Sequence, residues 1–285
     1  MMNIITSEQV SDIRRVVIVL SPPAGNLEKM QGTVEIALRL KAEMHVLFIE
    51  DINLLRLAAL PRAGEMSYGL GEIRPLDRER MERVLKAQAN AVREKLSALA
   101  ARHKVPWSFQ VRRGHVSREV LASVVGEDLL ILDRVRESLI SSTGEEGILW
   151  RILRQTTSTV LLQRDAGHAP RALTVYFDDT PAAWRALRLA TSYFQEGSLP
   201  MTIVLPPMEE AEERRARAHI EEYLGPQGIP CRIRRLREST CGCLERMLAE
   251  QGCGLFIGGR PGLMEYGESL LRDLERLGCG CLLVN

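Results

Sequence analysis

Along most of the chain, short apolar runs alternate with longer stretches in which apolar residues recur every three or four positions. The first run, "RRVVIVL" (14–20), is continuous and β-branched, the pattern of a strand covered on both faces. "NLEKMQGTVEIALRLKAE" (26–43) then sets Leu27, Met30, Val34, Ala37 and Leu38 at helical spacing, and "MHVLFIE" (44–50) returns to strand. A connection at 51–76 broken by Pro61, Gly64, Gly69, Gly71 and Pro75 reads as irregular, and a long charged helix follows from Asp77 to about His103. Next come "WSFQVRR", "SREVLASVV", "DLLILD", "GILWRILRQ" and "STVLLQ", which read as strand, helix, strand, helix, strand. Only a doubly wound parallel sheet uses that rhythm economically.

After a polar linker, "RDAGHAP" (164–170), the order restarts. "ALTVYF", "PMTIVL", "CRIRRL", "LFIGG" and "CLLVN" supply strands; "PAAWRALRLATSYF", "EEAEERRARAHIEEYL", "CLERMLAEQ" and "ESLLRDLERL" supply helices between them. The halves also align in detail, "VVGEDLLILDR" lying on "AEQGCGLFIGGR" with Gly126 on Gly252. The period is too long for a solenoid, so the expectation is two copies of one α/β domain, 1–167 and 168–285, the first carrying an insertion over about 50–76. A chain of 285 residues suits two domains.

Composition narrows the partners. Apolar residues at 45% and charged residues at 26% are ordinary for a globular protein. Lys plus Arg (38) nearly balances Asp plus Glu (37), so no basic field gathers nucleic acid or an anionic membrane. "MMNIITSEQVSDIRR" lacks the pattern of a signal peptide, and the expected location is cytoplasmic.

The residues at the fourth and fifth strands of each copy, "EDLLILDR" with "STVLLQ" and "CGLFIGGRPG" with "GCGCLLVN", resemble those of universal stress protein (Usp) domains. "VYFDDTPAAWRALRLA" and "IEDINLLRLAALP" add to the likeness, which covers about 14–164 and 171–285. It implies two Usp-like domains related to adenine-nucleotide α-hydrolases, each a five-stranded parallel sheet with helices on both faces, paired as an intramolecular pseudo-dimer. Nucleotide-binding members of the family carry G-x2-G-x9-G-(S/T) and an acidic residue after the first strand. The glycines let backbone approach phosphates, and the last Gly and hydroxyl sit at a helix N-terminus that favours anions.

The first copy departs from this pattern at every point: Ser21, Pro22 and Pro23 follow its first strand, Asp133 and Arg136 replace the loop glycines, and Gly147 has no hydroxyl beside it. In the second copy Asp178 holds the acidic position, with Asp179 and Thr180 behind it, and Gly259 and Gly262 match the first two glycines. Only four residues then separate Gly262 from Gly267, and Glu268 stands where a hydroxyl belongs. An acidic residue in a first helical turn satisfies the free N–H groups that a phosphate would otherwise occupy.

Other chemistry finds less support. Cys231, Cys241, Cys243, Cys253, Cys279 and Cys281 all lie in the second copy, yet their spacing is not the paired C-x-x-C of a zinc site, and small apolar filler is the plainer reading. His45, His103, His115, His168 and His219 are scattered, and no G-x-S-x-G, H-E-x-x-H or P-loop lysine motif occurs. The mixed charges of 209–223 read as a solvated helix face, and 68–75 as a lid or interaction loop. The expectation is therefore a non-catalytic, stress-related regulatory or interaction protein with degenerate nucleotide sites, acting on a protein partner and forming a homodimer. The competing reading is ATP or AMP binding, with slow ATP hydrolysis, by Asp178, Thr180, Gly259, Gly262, Gly267 and Glu268; a third is a thiol or metal role for the cysteines.

Overall fold

The structure is a computed structural model, and it describes residues 13–20, 27–60, 64–66, 73–75, 77–133, 147–163, 172–194, 200–251 and 254–285. Its residues fall into two compact units, Ile13–Thr156 and Thr157–Asn285.

In the first unit the strands are β1 (Arg15–Leu20), β2 (Glu43–Asp51), β3 (Gly64–Met66), β4 (Ile73–Pro75), β5 (Trp107–Gly114) and β6 (Asp128–Asp133). The helices are α1 (Leu27–Leu40), α2 (Ile52–Ala58), α3 (Arg78–His103), α4 (Val116–Ser123) and α5 (Ile148–Gln155). β6, β1, β2 and β5 lie side by side in that order, all parallel. Val16, Val17, Ile18 and Val19 of β1 are buried, as an unbroken β-branched run covered on both faces must be. The long helix α3 hides Leu85, Ala89, Val92, Leu96 and Ala100, one stripe at helical spacing, and Asp77 caps it by accepting from the Glu79 and Arg80 N–H groups.

The connection expected to be irregular contains regular structure. Asp51 accepts from the Asn53 N–H and starts α2, and β3 pairs antiparallel with β4. Residues 61–63, 67–72 and 76, most of the expected lid, lie outside the described residues.

In the second unit the strands are β7 (Thr159–Gln163), β8 (Leu173–Tyr176), β9 (Met201–Leu205), β10 (Cys231–Arg235), β11 (Leu255–Gly259) and β12 (Gly280–Val284). The helices are α6 (Pro181–Phe194), α7 (Glu210–Leu224), α8 (Cys241–Gln251), α9 (Arg260–Met264) and α10 (Gly267–Arg276). Five strands are parallel in the order β10, β9, β8, β11, β12, and β7 closes the far edge antiparallel to β12. In both units the first parallel strand is flanked by the second and the fourth. β7, expected from the sequence as the fifth parallel strand of the first copy, folds instead with this unit and runs antiparallel, its Leu162 opposite Cys281. One face of the sheet carries a core of Val175, Phe177, Ala183, Ala186, Leu187, Ile203, Ala216, Ile220 and Ile257, which fixes α6 and α7 against β8, β9 and β11. The small residues of α6 are what allow its backbone so close to the sheet.

Candidate functional site

β8 and β11 are neighbours, with Tyr176 opposite Gly258, and the chain leaves β8 for β9 on one side while β11 lies on the other. Their carboxyl ends therefore bound the crevice in which α/β sheets place ligands. Asp178, Thr180, Gly259 and Gly262 all converge there, as the sequence pattern requires, but they are occupied with one another.

Thr180 caps α6. Its Oγ1 accepts from the Ala183 N–H at 3.2 Å and donates to Asp178 Oδ1 at 2.6 Å, while its own N–H donates to the same oxygen at 3.2 Å. One carboxylate oxygen is thus used inside the turn. The other, Oδ2, lies against Gly262, so close that a Cβ at that position would collide with it. Gly259 has φ −64°, which any residue adopts, so its need is for space: a Cβ would meet the Ala183 nitrogen at 3.0 Å and the Ala182 Cβ at 3.1 Å. At Gly258 a Cβ would meet Leu263 Cδ1 at 2.7 Å. The glycines at the end of β11 let α6 and α9 press against the strand, and the room they leave is filled by protein.

The helix α9 was not legible as such in the sequence. It begins directly after Gly259 with Pro261 in its first turn, where the missing N–H of proline costs nothing, so there is no open loop between the two matching glycines. Gly267 plays a different part. Its φ is +68° and a Cβ would meet nothing within 4 Å, so it serves the reversal between α9 and α10 by conformation alone. The Glu268 backbone lies in the first turn of α10; its side chain lies outside the described residues. So do Ser21, Pro22, Pro23 and Arg136 and the side chain of Asp133, whereas Gly147 is the residue that precedes α5.

Below the glycines the crevice floor is aromatic. The Tyr176 and Tyr266 rings meet edge to face at 5.9 Å, and the Tyr266 hydroxyl donates to that of Tyr176 at 3.4 Å. Burial pushes the Tyr176 phenol far above its ordinary range. Beside it Cys241 Sγ stands 3.0 Å from Ser269 Oγ. Arg260 is buried, with Nη2 donating to Asn285 Oδ1 at 2.6 Å and Nη1 to the Ser158 carbonyl at 3.4 Å; desolvation lowers its pKa. It is spent as a tie between the chain entering β7 and the chain leaving β12.

Of the cysteines, Cys279 and Cys281 are buried in or beside β12, and Cys253 lies outside the described residues, as does His168. Among the described residues no three His, Cys, Asp or Glu side chains gather as metal ligands, and no helix is long and apolar enough to cross a membrane.

A second concavity escaped the sequence reading. Asp179, in the left-handed region at φ +60°, turns away from Asp178 and lines a cavity of about 450 Å³ with Trp184, His219, Glu222 and Tyr223. The Trp184 Nε1–H donates to Asp179 Oδ1 at 2.8 Å, and His219 Nδ1 lies 3.6 Å from Oδ2. Trp184 meets Tyr223 at 5.8 Å with the rings at 89°, and backs onto Phe177 at 5.0 Å. The available signal was His219, Glu222 and Tyr223 at helical spacing within a run that otherwise reads as solvated.

No family model and no curated protein matches the chain. Solved structures do. A universal stress protein from Archaeoglobus fulgidus DSM 4304 superposes with a TM-score of 0.68 at 13% identity, over 94% of this chain and 96% of that one. A Pseudomonas aeruginosa UCBPP-PA14 protein, provisionally named a universal stress protein, gives 0.55 at 15% over 95% and 93%. A functionally unknown protein from Pseudomonas aeruginosa PAO1 gives 0.54 at 13% over 95% and 92%. Identity this low speaks for the backbone alone: the chain has the α/β fold of universal stress protein structures.

Proposed function

We propose that this chain is a non-catalytic, Usp-like regulatory or interaction protein, cytoplasmic and built from two related sequence repeats, 1–167 and 168–285, whose nucleotide sites have lapsed. The Asp178 carboxylate set against Gly262 carries the reading. The space that the second loop glycine would leave for a ligand is taken by a side chain, and that side chain is anionic. A phosphate oxygen brought to about 4 Å from it would meet a repulsion on the order of 4 kcal/mol at an effective dielectric of about 20. Freshly purified protein is expected to release no adenine nucleotide on denaturation, by mass spectrometry, and to show no thermal shift with ATP, AMP or adenosine. Tight ATP binding that disappears in Asp178→Ala would overturn the proposal.

One observation favours the adenine-nucleotide reading: Asp178, Thr180, Gly259 and Gly262 do meet at the carboxyl ends of β8 and β11. That reading needs Asp178 to swing off Gly262 and its cap to open. A saturable thermal shift with AMP or ATP, lost in Gly262→Ala, selects it.

A further inference from the structure

The cavity on the outer side of the Asp178–Asp179 turn is built from side chains that have one ligand chemistry in common. Trp184 and Tyr223 line the same hollow and meet edge to face, their rings at 89° and forming an aromatic corner, with the His219 ring 6.4 Å from the indole. Aromatic faces carry negative charge density and attract cations, most strongly where water is partly excluded. Two carboxylates, Asp179 and Glu222, line the same cavity. Asp179 Oδ1 accepts from the Trp184 N–H, and His219 Nδ1 lies 3.6 Å from Oδ2. Glu222 has no ion-pair or hydrogen-bond partner among the described residues.

The arrangement is also held in place. A left-handed backbone at a residue other than glycine costs free energy and persists where its surroundings fix it. Here the Asp179–Trp184 bond does so, and Phe177 meets the indole edge to face. The hollow, about 450 Å³, is open to solvent, so a ligand there would be held on one side and by few contacts. An inorganic cation would prefer several oxygens, and a phosphate would be repelled.

We propose that the Trp184–Tyr223 corner, with Asp179 and Glu222 around it, binds an alkylammonium cation, carried either by a small solute or by a modified lysine of a partner protein. The proposal is independent of the phosphate-loop reading, because it uses the opposite side of the turn.

The test follows the Trp184 indole N–H resonance, identified by its loss in Trp184→Phe, as the full-length protein is titrated. Choline and a short peptide bearing trimethyllysine are the two probes, and 3,3-dimethylbutan-1-ol, the uncharged counterpart of choline, is the control. Saturable shifts with choline, or with the peptide at lower concentration, support a free or a protein-borne cation respectively. The uncharged alcohol is expected to bind about fivefold more weakly or worse. Glu222→Gln, on an exposed side chain, is expected to weaken cation binding about threefold. Asp179→Asn keeps both the acceptor for the indole and a residue tolerant of the left-handed region, and should act in the same direction. No saturable shift with either cation, or equal responses to choline and the alcohol, would overturn the proposal.

Discussion

Asp178 and Asp179 are consecutive, acidic and placed at the end of the same strand, yet they serve two unlike regions. Asp178 faces inward, has its charge absorbed by the Thr180 turn and by contact with Gly262, and helps close a crevice. Asp179 takes a left-handed backbone, faces outward, and orients an indole at the wall of a hollow that stays open. The difference is one of backbone conformation at a single residue. It teaches that a crevice in the expected place is not evidence of a ligand, because glycines that admit a phosphate equally admit a neighbouring helix.

The comparison breaks most severely at Gly259. Gly259→Ala sets a methyl 3.0 Å from the Ala183 nitrogen, which obliges the start of α6 to give way, and is expected to destabilise the protein by about 2 kcal/mol in denaturant unfolding, with the Asp179 side little altered in its indole resonance. A smaller and more informative effect is expected at Gly262. Gly262→Ala should cost about 1–2 kcal/mol, and much of that loss should vanish when Asp178→Ala is added, giving a coupling of about 1 kcal/mol in a double-mutant cycle. Additive losses would show that Asp178 does not fill the space. The smallest effect concerns pH. Because the Tyr176 phenol is held above its ordinary value, the unfolded chain ionises first as pH rises, so the folded state loses its advantage above about pH 10 and keeps it fully below. Tyr266→Phe, which removes a second phenol that burial holds above its ordinary value, should reduce that alkaline slope, measured as denaturation midpoint against pH.

Local pattern made most of the elements legible. β11 (Leu255–Gly259), α6 and α7 lie within a residue of where apolar spacing puts them, because burial period and helix start signals act over a few neighbours. Part of the candidate set was legible as a cluster: Asp178, Thr180, Gly259 and Gly262 come together, whereas Gly267 serves a turn and the Glu268 side chain lies outside the described residues. What they do together was not, since whether a glycine admits a ligand or a helix depends on residues far away in the chain, Ala182 and Ala183 for Gly259 and Asp178 for Gly262. The same applies to Trp184, whose partners His219 and Tyr223 lie on the next helix. α2 and the β3–β4 ribbon were hidden by Pro and Gly punctuation, and α9 by a proline that reads as a loop but serves as a first-turn residue.

The placement of β7 bears on how the chain can be divided. A fragment beginning at the apparent linker, residue 168, would keep β8 to β12 and lose the strand that covers β12. The bare backbone of β12 would then offer an unpaired row of N–H and C=O groups to any extended segment, including a second copy of itself, and the Arg260 tie would lose its Ser158 carbonyl. Cutting after Thr156 instead leaves that edge covered, so the sensible place to separate the halves for expression lies before the last strand of the first repeat rather than after it.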